Sequence, residues 1–226
     1  MMLVNHSCQN FSYQTLSFLK NTHECSAAVF TWFDNISEIP TFFSDGFDEK
    51  LIHNYYDHYV ENDPINHLQL IKSNARTARL TKDMLENSNS EKYQVFMHDS
   101  DLKDEADIIL WAADAPVASI ALIKLNNDRP FDYNLNIEQT RQFIQFNFEM
   151  LPSIKKLNLQ SHLKNNLHFT GKESLIATLL CEGYANKEIA AQLHIEAATV
   201  KTHLINVFEK LHVKSRTQAV ATMTTL

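Results

Sequence analysis

The stretch that decides the fold lies near the C-terminus and reads EAATVKTHLINVFEKL, from Glu196 to Leu211. Its apolar residues recur at i, i+4, i+7, i+8 and i+11, which places their side chains on one face of an α-helix. They are Val200, Leu204, Val207, Phe208 and Leu211. The opposite face carries Ala198, Thr202, Ile205 and Asn206, with Lys201 and Thr199 at its edges. A face of small, polar and locally apolar side chains suits the DNA major groove, although for this helix taken alone an ordinary surface helix explains the pattern equally well.

The preceding residues predict a support for this helix. Thr170-Gly-Lys-Glu173 has the form of a capping box that starts a helix, and Gly183 has the position of its left-handed stop. Asn186 is then predicted to cap a short second helix over 187–193. Two or three residues separate that helix from the one beginning near Ala197. A short helix, a tight turn and an amphipathic helix predict a helix-turn-helix.

A fourth helix is predicted at the end of the chain. Ser215-Arg-Thr-Gln218 has the form of a second capping box, and apolar residues follow it along one side of the predicted helix. A four-helix unit of about sixty residues is only marginally stable alone. We therefore predict that the apolar side of the last helix is a dimer seam, formed by Val220, Met223 and Leu226.

Several motifs of this region resemble the LuxR-type DNA-binding domain over its whole length, about a quarter of the chain. They are Phe169–Glu173, Gly183, Asn186–Ala190, Leu193–Ile195, Thr199–His203, Lys210–Val213 and Ser215–Thr217. The resemblance implies an all-α four-helix domain in which the third helix enters the major groove and the fourth mediates dimerisation. Its partner would be double-stranded DNA, with RNA polymerase as a further partner of the regulator.

The same resemblance implies roles for single residues. Those at the positions of base-edge contacts are Lys201, Thr202 and Ile205. Those at the positions of backbone phosphate contacts are Lys187, Thr199, Lys210 and Arg216. Two residues depart from the family pattern. Glu196 stands where a serine usually caps the recognition helix and should cap less well, by about 0.5–1 kcal/mol. Gly171 stands where proline is common at the first helical position.

Charge is divided unevenly along the 226 residues, whose formal net charge is −7. From His168 onward there are six Lys/Arg and five Asp/Glu, a net charge of +1, so the preceding part carries −8. Because its negative charge repels DNA, the front half is expected to have a function other than DNA binding. Cys8, Cys25 and Cys181 have no metal or redox spacing, and no apolar run reaches membrane-spanning length. We expect a soluble cytoplasmic protein with no membrane contact.

The front half reads as a mixture of helices and strands. Its best β signal is a hairpin in which Ala113–Pro116 joins apolar runs over 106–112 and 117–125. Other predicted strands cover 25–33, 39–43 and 76–80. Predicted helices cover 11–20, 48–60, a short segment from Asp63-Pro64 to Ile71, 90–98, and 137–163 with a break at Pro152. This order favours an α+β sensor domain, an antiparallel sheet covered by helices of the PAS or GAF kind. The predicted domains are 1–160 for sensing or dimerisation, 161–167 as a linker, and 168–226 for DNA binding.

The sequence contains no motif that indicates an enzyme, a cofactor site or a metal site. No paired-carboxylate, Ser/His/Asp or Cys/His signature is present, and three glycines leave no phosphate loop. His53 and His58 lie five residues apart, a spacing that does not bring two helical side chains together on one metal ion. A receiver domain controlled by aspartyl phosphorylation would begin with an apolar strand ending in adjacent acidic residues, which this chain lacks.

A tyrosine cluster points to a different function. Residues 55–64, YYDHYVENDP, resemble the Tyr-x-x-x-Asp-Pro segment of acyl-homoserine-lactone-binding domains. The resemblance implies a ligand pocket lined by Tyr56, Tyr59 and Asp63. Lys50, Asn54 and Ala78 stand where those receptors have aromatic pocket residues. Packing of the tyrosines, a pocket for another small molecule, and an acyl-lactone pocket therefore all stay open.

These observations favour a homodimeric, sequence-specific transcriptional regulator whose front domain senses a small molecule or a partner. Two alternatives stay open: a module that sequesters other regulators by heterodimerising without binding DNA, and an acyl-homoserine-lactone quorum-sensing receptor. An RNA-polymerase specificity factor would need a basic and aromatic promoter-melting region, which the acidic front half does not offer.

Overall fold

A computed structural model describes residues 4–33, 40–86, 88–132 and 136–225. The chain folds into two compact units, Met1–Leu151 and Pro152–Leu226.

The N-terminal unit is a mixed α and β structure, and its elements follow one another along the chain. They are α1 (His6–His23), β1 (Ala27–Trp32), β2 (Thr41–Asp45), α2 (Glu49–His58), α3 (His67–Lys72), β3 (Thr77–Arg79), α4 (Lys82–Leu85), a 3-10 turn (Ser88–Ser90), α5 (Glu91–Asp99), β4 (Leu102–Ala112), β5 (Ala115–Leu125) and α6 (Ile137–Glu149).

The strands form one sheet in the order β2-β1-β5-β4-β3, and every neighbouring pair is antiparallel. The predicted hairpin is β4–β5, and it lies in the middle of this sheet. Its turn residues Ala113 and Asp114 both have positive φ, 53° and 60°. Positive φ at both central residues matches the right-handed twist of the strands that the turn connects. The expected antiparallel sheet with covering helices is confirmed.

Side-chain alternation gives the sheet two different faces. On one face Phe30 and Trp32 pack against α1 and α6, where Phe30 lies 6.0 Å from Phe11 and Trp32 lies 5.4 Å from Phe148, measured between ring centroids. The indole of Trp32 donates to the Ser12 hydroxyl at 2.9 Å. The other face packs against α2 and α5 and contains a cavity.

The C-terminal unit is helical. Its elements are α7 (Pro152–Asn165), α8 (Gly171–Cys181), α9 (Asn186–Leu193), α10 (Ala197–Lys210) and α11 (Arg216–Thr224). The capping box that starts α8 is confirmed: the Thr170 hydroxyl accepts from Glu173 N at 3.3 Å, and the Glu173 carboxylate accepts from Thr170 N at 2.8 Å. Gly183, with φ of +91°, follows the end of α8 as predicted. The expected helix-turn-helix is therefore present as α9 and α10.

Several element boundaries differ from the sequence prediction. Pro64 lies before α3 rather than in its first turn. The Asp63 carboxylate accepts from Ile65 N at 2.9 Å and forms a turn around Pro64, and Asn66 is the N-cap of α3. Asn186 is the first residue of α9 rather than its cap, and Ala185 N instead donates to the Glu188 carboxylate at 2.6 Å. Residues 161–165 of the predicted linker are helical, since Leu163 is buried in the core of the C-terminal unit.

Two further differences concern short local features. The single-turn helix α4 was not predicted from the sequence. Residue 39, which the sequence prediction assigned to the second strand, lies outside the described residues. Ser215 caps α11 by accepting from Gln218 N at 3.2 Å. The Gln218 side chain accepts from Lys214 N at 2.9 Å rather than from Ser215 N, so the second capping box is only half formed.

Candidate DNA-binding surface and ligand cavity

The helix α10 has one buried side and one exposed side. Val200, Leu204 and Val207 are at most 6% exposed and pack in the core of the C-terminal unit. Thr202 is exposed on the opposite side, and Ile205 is 50% exposed although it is apolar. The other exposed residues of that side are Ala198, Thr199, Lys201 and Asn206. The helix therefore presents a small, polar and locally apolar surface with one lysine.

The start of α10 lacks a side-chain cap. Glu196 is the N-cap residue, but its side chain accepts no hydrogen bond from the first turn of the helix. The prediction that a glutamate caps poorly here is confirmed. Glu196 is exposed at the N-terminal end of the helix.

The four predicted phosphate contacts fall into two groups. Lys187 and Thr199 are exposed. Lys210 instead forms an ion pair with Glu173 at 2.6 Å and donates to the His168 carbonyl oxygen at 3.0 Å. Arg216 donates to the carbonyl oxygens of Tyr184 at 2.7 Å and Leu180 at 3.5 Å, next to the end of α8. These bonds give Lys210 and Arg216 roles inside the unit that the sequence did not indicate.

The predicted dimer seam on α11 lies partly inside the unit. Met223 is 2% exposed and belongs to the core, and Val220 is half-buried against that core. Leu226 lies outside the described residues. In the single chain, Met223 thus fills its own unit's core rather than a surface for a partner.

The N-terminal unit encloses a cavity between the sheet and the helices α2, α3 and α5. The empty space within it is about 570 Å³, part of which is open to solvent. The wall is mostly apolar and aromatic, with polar groups at a few positions. Its polar lining residues are Thr31, Tyr55, Tyr56, His67, Tyr93, Glu105, Asp107 and Ser119.

Three carboxyl groups are buried in or beside this wall. Asp63 is 1% exposed and accepts from the Tyr55 hydroxyl at 2.7 Å. Glu105 is 5% exposed and accepts from the Tyr93 hydroxyl. Asp107 is also 5% exposed, and its Oδ1 has no hydrogen-bond partner among the described residues. A buried polar atom without a partner is rare in a folded protein, so Asp107 is a candidate contact for a bound molecule.

Burial sets the protonation of these groups. It raises the pKa of Asp107 well above its usual range, and the nearby charges of Glu105 and Asp63 raise it further. Burial likewise raises the pKa of Asp63 to about 6, against hydrogen bonds from Tyr55 and Ile65 that favour the carboxylate. Burial lowers the pKa of His67 to about 4, so this imidazole is neutral at physiological pH.

The residues predicted for a ligand pocket have different places. Tyr56 lines the cavity, and its hydroxyl lies 3.1 Å from the Thr31 hydroxyl. Tyr59 packs on Phe96 at 5.0 Å between ring centroids, and Asp63 lies behind Tyr55. Glu105 and Asp107 were not anticipated. The sequence contained a signal for them, since Glu105 and Asp107 are two residues apart at the start of an apolar run and therefore share one face of a strand.

Two further observations bear on the class of protein. Among the described residues, no group of three or more His, Cys, Asp or Glu is placed to hold a metal ion. In the same part of the chain, the helices are too short or too polar to cross a membrane.

Comparison with known proteins adds to this geometry. The family model described as bacterial regulatory proteins of the luxR family matches residues 167–223. A monoamine regulon transcriptional regulator of Klebsiella aerogenes is 31% identical over 179 residues, which cover 76% of this chain and 75% of that protein. This chain belongs to the LuxR family. Members of this family are transcriptional regulators and not enzymes, so the expectation of a non-enzyme is confirmed.

The chain is also similar to part of a second regulator in sequence and to a solved structure in fold. The response regulator protein VraR of Staphylococcus aureus is 51% identical over 51 residues, 23% of this chain and 24% of VraR. A crystal structure of Escherichia coli SdiA aligns over 94% of this chain and 88% of SdiA, with a TM-score of 0.46 and 14% identity.

Proposed function

We propose that this LuxR-family regulator is a homodimer that binds a two-fold symmetric DNA site through α10 and senses a small molecule through the cavity of its N-terminal unit. The observation that carries the proposal is the exposed side of α10. It combines Thr202, Asn206 and a half-exposed Ile205 with Lys201, and three buried residues hold the opposite side in the core. A helix held in this way presents hydrogen-bonding and methyl groups at the depth of base edges.

The base-edge contacts in this proposal are made by Lys201, Thr202 and Ile205, and phosphate contacts are made by Lys187 and Thr199. Lys210 and Arg216 support the domain, because their cationic groups already have partners inside it. RNA polymerase is the protein partner through which such a regulator would change transcription.

Dimerisation is proposed to use the N-terminal unit as well as α11. Large apolar side chains are exposed on α1 and at or near α6: Tyr13, Phe18, Phe143, Phe146 and Met150, each between 43% and 63% exposed. The rings of Phe18 and Phe143 lie 5.6 Å apart, so the two helices share this surface. Exposed apolar patches of this kind mark protein contacts, and a two-fold DNA site requires a second copy of the chain.

The sensing function rests on the cavity and its buried polar groups. A largely apolar pocket with a few converging polar side chains is the usual form of a small-molecule site. The K. aerogenes relative has a name that refers to a monoamine regulon, which puts amines among the compounds to screen first.

A gel shift separates this function from sequestration of other regulators. The full chain is mixed with fragments of its host's genomic DNA, with the Lys201→Ala variant as a control. Discrete complexes with a few fragments, lost in the variant, support the proposal. No complex with any fragment, together with capture of another regulator of the same family, would support sequestration instead. Native mass spectrometry of the protein from host cytosol reports the dimer mass and any retained small molecule in one experiment.

A further inference from the structure

The cavity has an acceptor that the protein leaves without a donor. Asp107 lines the cavity and is 5% exposed, and no donor in the described part of the chain bonds to its Oδ1. Leaving a buried acceptor of this kind unpaired costs free energy, and the cost is larger when the acceptor carries a charge. A ligand that brings a donor to Oδ1 recovers that cost.

The surroundings of Asp107 are acidic and contain no basic side chain among the described lining residues. Glu105 lies two residues before it on the same face of β4, and Asp63 lies behind Tyr55. Among the described residues of the cavity wall none is a lysine or an arginine, and the lining His67 is neutral because burial lowers its pKa to about 4. Buried carboxylates are usually paired with a cation, so a bound cation would stabilise the ionised form of these carboxyl groups.

The rest of the wall suits an organic cation. The rings of Tyr55 and Tyr56 lie 5.2 Å apart, and Phe96 lies 5.5 Å from Tyr55 and 5.9 Å from Tyr93. Aromatic rings attract cations placed over their faces, and they also bury the apolar part of a ligand. Apolar residues continue the wall: Val29, Leu51, Ile52, Leu102, Ala121 and Ile123.

We propose that the cavity binds a small primary amine in its ammonium form, with an apolar or aromatic body, and that the ammonium group donates to Asp107. This inference rests on the proposed sensing function and names the chemical class of its ligand. The ammonium group has three N–H donors. One reaches Asp107 Oδ1, and a second reaches the oxygen of Glu105 that Tyr93 does not occupy.

Binding of a cation here is linked to release of a proton. Burial, and then the charges of Glu105 and Asp63, raise the pKa of Asp107, whereas a bound ammonium group favours the ionised carboxylate, so binding of the amine favours loss of the carboxyl proton to solvent. The affinity of the amine therefore rises with pH until the amine itself loses its charge. A neutral ligand that accepts a hydrogen bond from protonated Asp107 has the opposite pH dependence.

The other titratable groups that face Asp107 do not reverse the expected increase of amine affinity with pH. Glu105 on β4 and Asp63 after α2 are carboxyls whose pKa values burial also raises, so they favour the cation in the same direction. Burial raises the pKa of Tyr56 to about 12, and raises those of Tyr55 and Tyr93 well above their usual value. These tyrosines and the neutral His67 keep one protonation state between about pH 6 and pH 9.

Isothermal titration calorimetry on the full chain tests the inference. The probes are 2-phenylethylamine, tyramine and hexylamine, each compared with the alcohol that has a hydroxyl in place of the amino group. We expect at least one amine to bind about tenfold more tightly than its alcohol at neutral pH, with proton release visible in buffers of different ionisation enthalpy. Asp107→Asn should weaken that amine about tenfold or more. Asp114→Asn, in the exposed turn of the same hairpin, should not change it.

The outcomes distinguish this inference from the sensing function. Equal or tighter binding of an alcohol overturns the inference but leaves a small-molecule sensor. Unchanged affinity of the amine in Asp107→Asn overturns the placement of the ammonium group. If no amine of the panel binds, the inference fails, and native mass spectrometry then decides whether a different small molecule is retained or the sensing function fails too. Should Asp107→Asn lose its folded structure by circular dichroism, the amine and alcohol comparison on the unaltered chain decides alone.

Discussion

The ammonium group of Lys210 lies 2.6 Å from the carboxylate of Glu173, so the last residue of α10 is tied to the first turn of α8. Glu173 is 4% exposed, and the same carboxylate completes the capping box with Thr170. Burial alone would raise the pKa of Glu173, but the bonds from Lys210 and Thr170 lower it below its usual value. One buried carboxylate therefore both starts the supporting helix and holds the end of the recognition helix.

Replacing Lys210 should destabilise the protein. Lys210→Met leaves the buried Glu173 carboxylate without its cation, and we expect a loss of about 1–3 kcal/mol in the free energy of unfolding at neutral pH. Because the pKa of Glu173 is lower in the folded state, this contribution is present above the unfolded pKa and is lost as pH falls through the folded pKa. The stability difference between wild type and variant should therefore shrink on acidification below about pH 4.5.

Urea unfolding of the full chain at several pH values measures this difference. Lys214→Met is the matched control, because Lys214 is exposed and its ammonium group forms no ion pair among the described residues. A loss of the same size in both variants, or a difference that grows on acidification, would contradict the role assigned to Lys210.

Lys201→Ala should weaken binding to a specific DNA site. The side chain lies on the exposed side of α10, and loss of a base-edge contact costs about 1–3 kcal/mol. Fluorescence anisotropy with a specific site and with unrelated DNA measures the effect. Lys164→Ala is the control, since it removes an equal charge from an exposed position on α7. An equal loss of affinity in both variants would show that Lys201 contributes only charge.

Lys187→Ala should act on all DNA sequences alike. The exposed lysine at the start of α9 is proposed to contact a phosphate, so its removal should release about one counterion fewer on binding. The slope of log K against log salt concentration is expected to become shallower by about one, with little change in the ratio of specific to unspecific affinity. A changed preference among sequences, with an unchanged slope, would move Lys187 from the phosphates to the base edges.

Phe146→Asp should weaken the dimer. The ring is 63% exposed beside other apolar side chains of α1 and α6, and a second copy of the chain is the proposed partner for this surface. Analytical ultracentrifugation should show a fall in the dimer fraction at micromolar concentration. Val95→Asp is the control, because Val95 is 54% exposed on α5. A dimer that persists in Phe146→Asp and dissociates in Val95→Asp would place the contact elsewhere.

The C-terminal unit could be predicted from its sequence because its signals are local. The Thr170–Glu173 capping box, the stop at Gly183 and the apolar stripe of α10 each depend on residues within a few turns of one another. The internal partners of Lys210 and Arg216 could not be predicted in this way. Lys210 meets a residue 37 positions away, and a cationic side chain near a helix end reads equally well as a phosphate contact.

The cavity depended on information that local patterns do not hold. The hairpin β4–β5 was visible as two apolar runs, but the face that Glu105 and Asp107 occupy is set by the register of β4 against β5. The tyrosine cluster on α2 indicated a pocket, yet its contact with Tyr93 and Phe96 joins segments about forty residues apart. An acidic residue in a strand can be assigned to a cavity only when the helices that cover that face of the sheet are known.

Whether α10 recognises a DNA sequence is measured by selection of binding sites from random-sequence DNA with the full chain, followed by sequencing. We expect an enriched motif with two-fold symmetry and half-sites about one helical turn apart, which Lys201→Ala fails to enrich. Enrichment of no motif, in a preparation whose dimer mass and folded structure have been verified, would contradict the claim that α10 reads DNA sequence.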